Sequence, residues 1–302
     1  MKTFEWTHQN HTFHGLETDV KDPRAALLVI HGMGEHIGRY EAFLNACETA
    51  NIYALGIDLR AHGKSLGPKG LGLLTPEDTF EQMVKDVHAL FQEKATEHPN
   101  VTWTLMGHSM GSVIARRYAQ VYPDDFKRMI WMGTLPLYGW ISRKAFRLLA
   151  GFFSLFYPAY GRNRALSFLM NQPLEKGVKD AQTSKDWLSK NPKNVERFFA
   201  DPLTGYAYNS RFYRLFFKTV DTISQSQNIA KTRLDRLLLI AGALDPVTNQ
   251  GKSHKQIQSI YQGMFKDLTI QSIEFPDMRH EPLNETDPKP VYAAIIEEIT
   301  HE

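Results

Sequence analysis

Several features are scarce in this 302-residue sequence, and each scarcity excludes a class of protein. Cys47 is the single cysteine, so no disulfide can form within the chain and a reducing compartment is favoured. The net charge is only +2 and there is no long run of basic residues, so nucleic acid is not an expected partner. The sequence therefore predicts a fold held together by an apolar core rather than by disulfides.

Long apolar segments are also missing. The longest uncharged stretch of the apolar middle region, 148–161, has 14 residues, whereas a membrane-spanning helix needs ~20. The N-terminal segment MKTFEWTHQNHTF alternates apolar and polar residues and contains no apolar signal-peptide core. We therefore expect a cytoplasmic protein without a membrane span.

What the sequence does contain is an alternation of short apolar runs with amphipathic helical patterns. The runs predict mostly buried strands at 25–30, 51–57, 101–106, 128–133, 236–242 and 268–275. The first two dozen residues indicate an antiparallel hairpin at one edge of the sheet. Strands that alternate with helices predict an α/β fold, with a mainly parallel sheet and helices on both of its faces.

Helical spacing of apolar residues locates two of the helices that cover the sheet. A stripe within 40–47 includes Cys47, which predicts that this residue is a small core side chain and is inert as a thiol. A second stripe lies within 80–91, and Thr75 with Pro76 is expected to begin that helix.

The segment 137–208 breaks the alternation. It has no strand signal but contains helical fragments that are crowded with aromatic residues. We interpret it as a helical cap inserted between a first core part, 1–136, and a second core part, 209–302. The alternative is a set of packing helices far from any site.

The aromatic side chains of the cap are candidates for substrate binding, because one short helix cannot bury so many of them. The candidates are Phe146, Phe152, Phe153 and Phe156. Cations that flank them, such as Arg162 and Arg164, favour peripheral contact with a membrane or a lipid aggregate. The alternative is that every aromatic residue packs onto the core.

The stretch LMGHSMGS, 105–112, ends a predicted strand with two glycines around Ser109. It matches G-x-S-x-G, a sharp strand-to-helix turn that lifts a serine hydroxyl above the sheet edge. The pattern alone is weak, because an ordinary glycine-rich turn can have the same residues. Its position between a predicted strand and a predicted helix is the context that the motif requires, so Ser109 is the candidate nucleophile.

A serine nucleophile needs a base, and the base needs a group that orients it. His280 is the candidate base among twelve histidines, since it directly follows the last predicted strand. His108 adjoins the serine and diverges from it in a tight turn. The other histidines considered fall in the N-terminal hairpin or on helix surfaces and loops: His8, His11, His14, His88, His98 and His254. No carboxylate or cysteine accompanies the hairpin histidines, so a solvated strand face is favoured there and no metal is predicted.

Asp245 is the candidate orienting acid. It follows the predicted strand 236–242 and can accept the imidazole N–H. Aspartate before proline is also a common turn residue, which is the alternative for this position. The order Ser109, Asp245, His280 is the one that this type of elbow requires.

Charge that develops on a carbonyl oxygen during attack needs backbone donors. The loop HGMG, 31–34, follows a predicted strand, and its Met33 N–H together with the Met110 N–H could form an oxyanion hole. A phosphate-binding loop is excluded, because HGMGEH has neither the G-x-G-x-x-G spacing nor a Lys-Ser/Thr ending. No cofactor is predicted.

With these motifs in order, the sequence resembles the α/β-hydrolase superfamily, in particular its monoacylglycerol lipase and lysophospholipase-like branch. The resemblance covers nearly the whole chain and depends on HGMGEHIGRY, DLRAHGKS, GHSMGS, GALDPV and RHEPLNE. It implies a mostly parallel eight-stranded sheet, the cap over an acyl-binding site, and a serine hydrolase that cleaves esters of acyl-chain lipids. Two positions depart from the branch, because Ser112 and Ala61 stand where it has glycine. We interpret Glu35 and His36, and likewise Asp58, His62 and Ser65 of DLRAHGKS, as structural.

Three alternatives stay open. A peptidase or a thioesterase would share the same machinery, and a non-catalytic protein of this fold could bind a lipid or a partner through its cap. The branch with an aspartate nucleophile is disfavoured because Ser109 occupies the elbow. The sequence leaves the ester, its chain length and the oligomeric state undetermined.

Overall fold

The structure, a computed structural model, describes residues 1–137, 148, 151–152 and 161–301. One sheet has the strand order β1-β2-β4-β3-β5-β6-β7-β8. Its strands are β1 (Lys2–His8), β2 (His11–Glu17), β3 (Ala25–Ile30), β4 (Ile52–Ile57), β5 (Trp103–His108), β6 (Arg128–Met132), β7 (Arg236–Gly242) and β8 (Thr269–Phe275). The first hairpin and the β2–β4 pair are antiparallel, and all other neighbours are parallel. The predicted α/β fold with a hairpin at one edge is confirmed.

Helices cover both faces of this sheet. In chain order they are α1 (Glu41–Thr49), α2 (Phe80–Glu97), α3 (Met110–Val121), α4 (Arg164–Lys176), α5 (Pro192–Ala200), α6 (Ser210–Ile223), α7 (Ser226–Ile229), α8 (Lys252–Met264) and α9 (Lys289–Thr300). Short 3-10 turns lie at Ile37–Tyr40 and Pro282–Asn284. No helix in the described ranges combines the length and the apolarity that crossing a membrane requires.

The sheet has an apolar core on each face, because successive side chains of a strand point to opposite sides. In β3, Leu28 packs in a cluster with residues of α2, α3 and α6, whereas Leu27 packs in a second cluster with residues of α1 and α9. Cys47 belongs to the second cluster and is fully buried, which confirms its prediction as a core residue.

The predicted start of α2 is wrong by one turn. Thr79, not Thr75, is the N-cap, and its side chain accepts a hydrogen bond from Gln82 N. Thr75 is engaged elsewhere, because both its N–H and its hydroxyl donate to Asp78 at 2.8 Å. That short turn ends before the helix begins.

The parallel strands bring the candidate residues to one place. The carboxyl ends of β3, β5, β7 and β8 lie at the same edge of the sheet, where ligands bind in open α/β sheets. Each of the sequence motifs HGMG, GHSMG, GALDP and RHE lies at the carboxyl end of one of these strands or shortly after it. The described part of 137–208 contains α4 and α5 and no named strand. The boundaries of the cap stay predictions.

Candidate active site

The elbow at Ser109 lies between the end of β5 and the start of α3. Its backbone has φ 52° and ψ −116°, a positive-φ conformation that strains any residue with a side chain. Neither glycine of the motif has room for a side chain. A Cβ on Gly107 would lie 2.3 Å from the Gly111 carbonyl oxygen, and a Cβ on Gly111 would lie 2.1 Å from that of Ile30. The two glycines therefore permit the close packing that holds the serine at the edge of the sheet.

His280 and Asp245 meet at the same edge. The imidazole Nδ1 lies 3.0 Å from Asp245 Oδ2, and both side chains are buried. Gly242 permits this approach, because a Cβ there would lie 2.2 Å from the carbonyl oxygens of Met278 and Arg279. With Nδ1 donating to a buried carboxylate, Nε2 is left to accept a proton.

The loop after β3 and the first turn of α3 present backbone donors. Within the described residues, the N–H groups of Met33 and Met110 have no hydrogen-bond acceptor, and both residues line one cavity. The glycine N–H groups on either side of Met33 are occupied, since one donates to Glu35 and the other to Tyr208, each at 2.5 Å. The loop is thus fixed while the central N–H stays available to a ligand.

A buried ion-pair network lies next to the imidazole. Arg39 donates to the two carboxylate oxygens of Glu281 at 2.7 and 2.6 Å and to Glu35 at 2.9 Å. Burial alone would raise the pKa of Glu281, but the Arg39 charge lowers it below the ordinary carboxyl value. Since Glu281 directly follows His280, this network holds the backbone that carries the imidazole.

His108, the residue before the nucleophile, completes the network. Its Nδ1 lies 3.1 Å from Glu35 Oε1, and its Nε2 lies 3.0 Å from the carbonyl oxygen of His280. Burial lowers the pKa of His108, but the hydrogen bond with Glu35 and the charge of that carboxylate outweigh burial and raise the pKa above 6.5. Burial of Glu35 acts to raise its pKa, and the bond with His108 turns the net shift downward. An imidazolium that donates to both neighbours fits these contacts.

The loop 58–65 has the structural role that was expected of it. Asp58 accepts backbone N–H bonds on both of its carboxylate oxygens, at 2.8 and 2.7 Å. His62 Nε2 lies 2.8 Å from the Tyr208 hydroxyl, which accepts the N–H of Gly34. The loop therefore supports the HGMG segment through Tyr208.

A cavity of about 370 Å³ connects these groups. Ser109, His280, Met33 and Met110 lie in its lining. The rest of the wall is mostly apolar, with side chains from the β6 loop, α4, α5 and α6: Leu135, Leu169, Met170, Leu174, Phe198, Phe216, Phe217 and Val220. The cavity thus joins a serine, a histidine and an apolar chamber.

None of the four aromatic residues predicted to bind the substrate is seen in the described part of this wall. Phe146, Phe153 and Phe156 lie outside the described residues. Phe152 is described, is 55% exposed and does not line the cavity, so the wall is made by other side chains. Sequence reasoning missed Phe216 and Phe217 of α6, although their i, i+4 spacing with other apolar residues was visible. That spacing cannot tell a core side chain from one that lines a cavity.

His254 and the histidines of the hairpin lie in surroundings that differ from those expected. His254 was expected on a surface or in a loop but is fully buried on α8, where burial lowers its pKa to about 4 despite the nearby charge of Asp245. In the hairpin, His8 stacks on Trp6 and His11 packs against Phe13. His14 Nδ1 lies 3.4 Å from Glu5 Oε1, so the expectation that no carboxylate accompanies the hairpin histidines was wrong. No group of three or more potential metal ligands occurs among the described residues.

Known proteins are similar to this chain in sequence. The family model described as serine aminopeptidase, S33, matches residues 21–287. The human monoglyceride lipase is 26% identical over 255 residues, which are 82% of this chain and 76% of that protein. The monoacylglycerol lipase of Mycolicibacterium smegmatis is 30% identical over 136 residues, 42% of this chain and 47% of the relative. The match thus covers less than half of that mycobacterial relative.

Solved structures share the fold along the whole chain. A carboxyl esterase from Bacillus coagulans superposes with a TM-score of 0.85 at 24% identity, over 98% of this chain and 96% of the other. A soluble variant of the monoglyceride lipase from Saccharomyces cerevisiae gives a TM-score of 0.72 at 17% identity, over 99% and 94%. At such identities the likeness shows the fold alone. The family match shows that the chain belongs to the serine aminopeptidase S33 family, and the chain has the α/β-hydrolase fold and relatives that are named monoglyceride lipases.

Proposed function

We propose that this protein is a serine hydrolase that cleaves carboxylic esters of acyl-chain lipids, of the monoacylglycerol or lysophospholipid type, through an acyl-enzyme intermediate. One observation carries the proposal: Ser109 and the His280 that pairs with Asp245 open onto a single cavity with mostly apolar walls. Relatives named as monoglyceride lipases support it.

In the first half of the reaction, Ser109 Oγ attacks the ester carbonyl carbon while its proton passes to His280 Nε2. The carbonyl oxygen becomes an oxyanion, which the N–H groups of Met33 and Met110 bind. Collapse of this intermediate breaks the bond to the alcohol oxygen, which takes the proton from the imidazolium. The acyl group is then bound to the serine, and the alcohol leaves.

In the second half, water replaces the alcohol. His280 accepts a proton from the water as its oxygen attacks the acyl carbon, and the same backbone donors bind the new oxyanion. Collapse returns the proton to Ser109 and releases the carboxylic acid. Asp245 accepts the Nδ1–H of the imidazole and stabilises its charged form.

The charges in the cavity favour an ester over a peptide with a free N-terminus. An aminopeptidase needs an anion that binds the substrate ammonium. Among the described lining residues, the two carboxylates are Glu35 and Glu281, and Arg39 pairs with both. The apolar wall instead suits an acyl chain, whose burial contributes about 0.8 kcal/mol per CH₂.

We also propose that the protein contacts lipid aggregates through three exposed apolar side chains, those of Leu148, Phe152 and Phe168. Leu148, Phe152 and Phe168 are 74%, 55% and 58% exposed, respectively. Arg162 and Arg164 lie in the same part of the sequence and are exposed, which suits anionic headgroups.

The test is covalent labelling. A fluorophosphonate probe should modify the wild-type protein at Ser109 and should leave Ser109→Ala unmodified, with both proteins shown to be folded by circular dichroism. A panel of esters with graded acyl chains should then show turnover that rises with chain length. A folded wild-type protein that neither reacts with the probe nor cleaves any ester would refute the proposal. It would favour a non-catalytic protein that binds a lipid or a partner.

A further inference from the structure

Among the described lining residues, Lys185 is a cation that does not belong to the ion-pair network. Lys185 lies in the segment between α4 and α5, and its Nζ donates to Asn171 Oδ1 at 3.1 Å and lies 5.9 Å from the centre of the Trp187 ring. Within the described ranges no carboxylate forms an ion pair with it. Burial lowers the pKa of this lysine, against the opposing effect of the Glu175 charge. An ammonium in such surroundings is stabilised by an occupant that carries negative charge.

The neighbouring contacts define which part of a substrate lies near this lysine. Trp187, whose ring faces the Lys185 ammonium, packs against the imidazole of His280 with 5.3 Å between ring centres. The imidazole gives its proton to the alcohol oxygen, so the alcohol part of the ester leaves on this side. Apolar residues of α6, such as Phe216, also line the cavity and suit the acyl chain.

Among the described residues, the groups next to Lys185 do not neutralise its ammonium. Asn171 turns its carbonyl oxygen to the ammonium because its Nδ2 donates to the Ser167 carbonyl at 2.7 Å. Glu281 directly follows His280 in the sequence. Its carboxylate pairs with Arg39, so it does not repel an incoming anion. The positive charge of Lys185 therefore faces the cavity without a carboxylate partner among the described residues.

We propose that Lys185 is a specificity-determining residue that selects esters whose alcohol part carries an anionic phosphate, as in a lysophospholipid, over neutral monoacylglycerols. The inference rests on the proposed function and deepens it by naming the substrate class. The ammonium binds a phosphate oxygen by a charge-assisted hydrogen bond. The acyl chain meanwhile occupies the apolar wall, and the ester carbonyl lies at Ser109.

The experiment compares two substrates that differ only in the phosphate, 1-decanoylglycerol 3-phosphate and 1-decanoylglycerol, both below their critical micelle concentrations. For the wild type we expect the larger kcat/KM with the phosphate ester. Lys185→Met should lower kcat/KM for the phosphate ester roughly 10- to 100-fold, the size expected for a lost charge-assisted hydrogen bond, and should change the neutral ester less than threefold. Lys185→Arg should keep the preference.

Two further variants make the result specific. Asn171→Asp replaces the amide at 3.1 Å from the ammonium with a carboxylate, so it should neutralise Lys185 and reduce the preference as Lys185→Met does. Lys193→Met removes an exposed charge from α5 outside the cavity and should leave the preference unchanged. It therefore controls for the net charge of the protein.

The outcomes separate the inference from the function on which it rests. A wild type that cleaves both esters with equal kcat/KM, or a Lys185→Met variant that loses both equally, overturns the role of Lys185 and leaves the ester hydrolase intact. A wild type that cleaves neither ester, nor the uncharged short ester p-nitrophenyl butyrate, refutes the proposed function itself. Unfolding temperatures of every variant show whether a loss of both activities comes from misfolding.

Discussion

His108 Nε2 lies 3.0 Å from the carbonyl oxygen of His280, so the residue beside the proposed nucleophile holds the backbone of the proposed base. Glu35 fixes the other ring nitrogen of His108 at 3.1 Å. A buried hydrogen bond therefore joins the elbow after β5 to the loop after β8. This link does not depend on a bound substrate. A change at His108 should disturb the position of the imidazole as well as the stability of the fold.

The three proposed catalytic residues should act as a unit. Ser109→Ala, His280→Ala and Asp245→Asn should each lower kcat by a factor on the order of 10³ or more, and a double variant should lose little beyond the worse single variant. Steady-state kinetics on variants with unchanged unfolding temperatures measures this. Substantial activity in folded His280→Ala would assign the base to another residue.

His108→Gln should destabilise the protein most at weakly acidic pH. The pKa of His108 is raised in the folded state, so its protonation stabilises the fold below pH 6.5 and this contribution is lost as pH rises through the folded pKa. The lowered pKa of Glu35 gives a contribution that is present above pH 4.5 and is lost as pH falls through the folded pKa. Both are present together between these two values, where breaking the pair should cost about 3 kcal/mol.

Urea unfolding of the wild type and His108→Gln at pH 5.5 and pH 9 measures this difference. The stability gap between the two proteins should shrink at pH 9. His98→Gln, at the end of α2 and away from the network, is the matched control and should show a much smaller gap. A gap for His108→Gln that stays constant up to pH 9 would show that the imidazole is neutral in the fold.

The strain at the elbow should be measurable as stability. Ser109 has φ 52°, which glycine adopts without steric cost. Both Ser109→Gly and Ser109→Ala remove the hydroxyl, but only glycine relieves the backbone. We expect Ser109→Gly to be more stable than Ser109→Ala by roughly 1 kcal/mol in the free energy of unfolding, and so to unfold at a higher temperature. The relief of backbone strain outweighs the greater freedom of glycine in the unfolded chain. Equal unfolding temperatures would mean that the elbow is unstrained.

A charge in the apolar wall should discriminate between acyl chains. Met170 of α4 lines the cavity, whereas Phe168 on the same helix is exposed and does not. Met170→Asp should lower kcat/KM for a decanoate ester about a hundredfold more than for a butyrate ester, since losing contact with four methylenes costs about 3 kcal/mol. Phe168→Asp should affect both monomeric esters alike. Equal losses of both esters in folded Met170→Asp would refute an acyl-binding wall.

Cys47 should be inert to thiol reagents in the native protein. Its side chain is buried in the cluster of α1 and α9, and burial raises the pKa of its thiol to about 12, so little thiolate forms at neutral pH. Iodoacetamide should leave activity unchanged and should modify the cysteine only in urea, as mass spectrometry can show. Activity lost rapidly to iodoacetamide in the wild type but not in Cys47→Ser would contradict this expectation.

Much of this molecule could be predicted from the sequence because its signals are local. Apolar runs locate the strands, and a strand end followed by glycine, serine, aspartate or histidine locates each candidate group. The ends of strands and helices are less predictable, as Thr75 shows, since a side chain such as Asp78 can close a separate turn next to the helix. His254 was misplaced because one polar residue on an otherwise apolar stripe can be buried.

Ala61 and Ser112 depart from the family pattern, and how the fold accommodates them could not be predicted from the sequence. Ala61 keeps φ +61°, so alanine adopts the left-handed conformation for which the branch uses glycine. Ser112 has its hydroxyl 2.6 Å from the Ser109 carbonyl oxygen and 2.8 Å from Thr134 Oγ1, so the extra atoms are accommodated by hydrogen bonds. Likewise, the cavity wall on α6 depends on what lies opposite each side chain, which spacing along one helix does not specify.

The order of strands in the sheet also has a consequence for how the protein is made. The central strands β3, β4, β5 and β6 come from the first half of the chain, so the elbow and the HGMG loop can form while synthesis continues. The imidazole and its carboxylate arrive with β7 and β8, which add to one side of that sheet. We therefore expect a nascent chain to be unable to cleave esters until β8 and the loop that carries His280 have left the ribosome, because Arg39 must wait for Glu281 before the base is held in place.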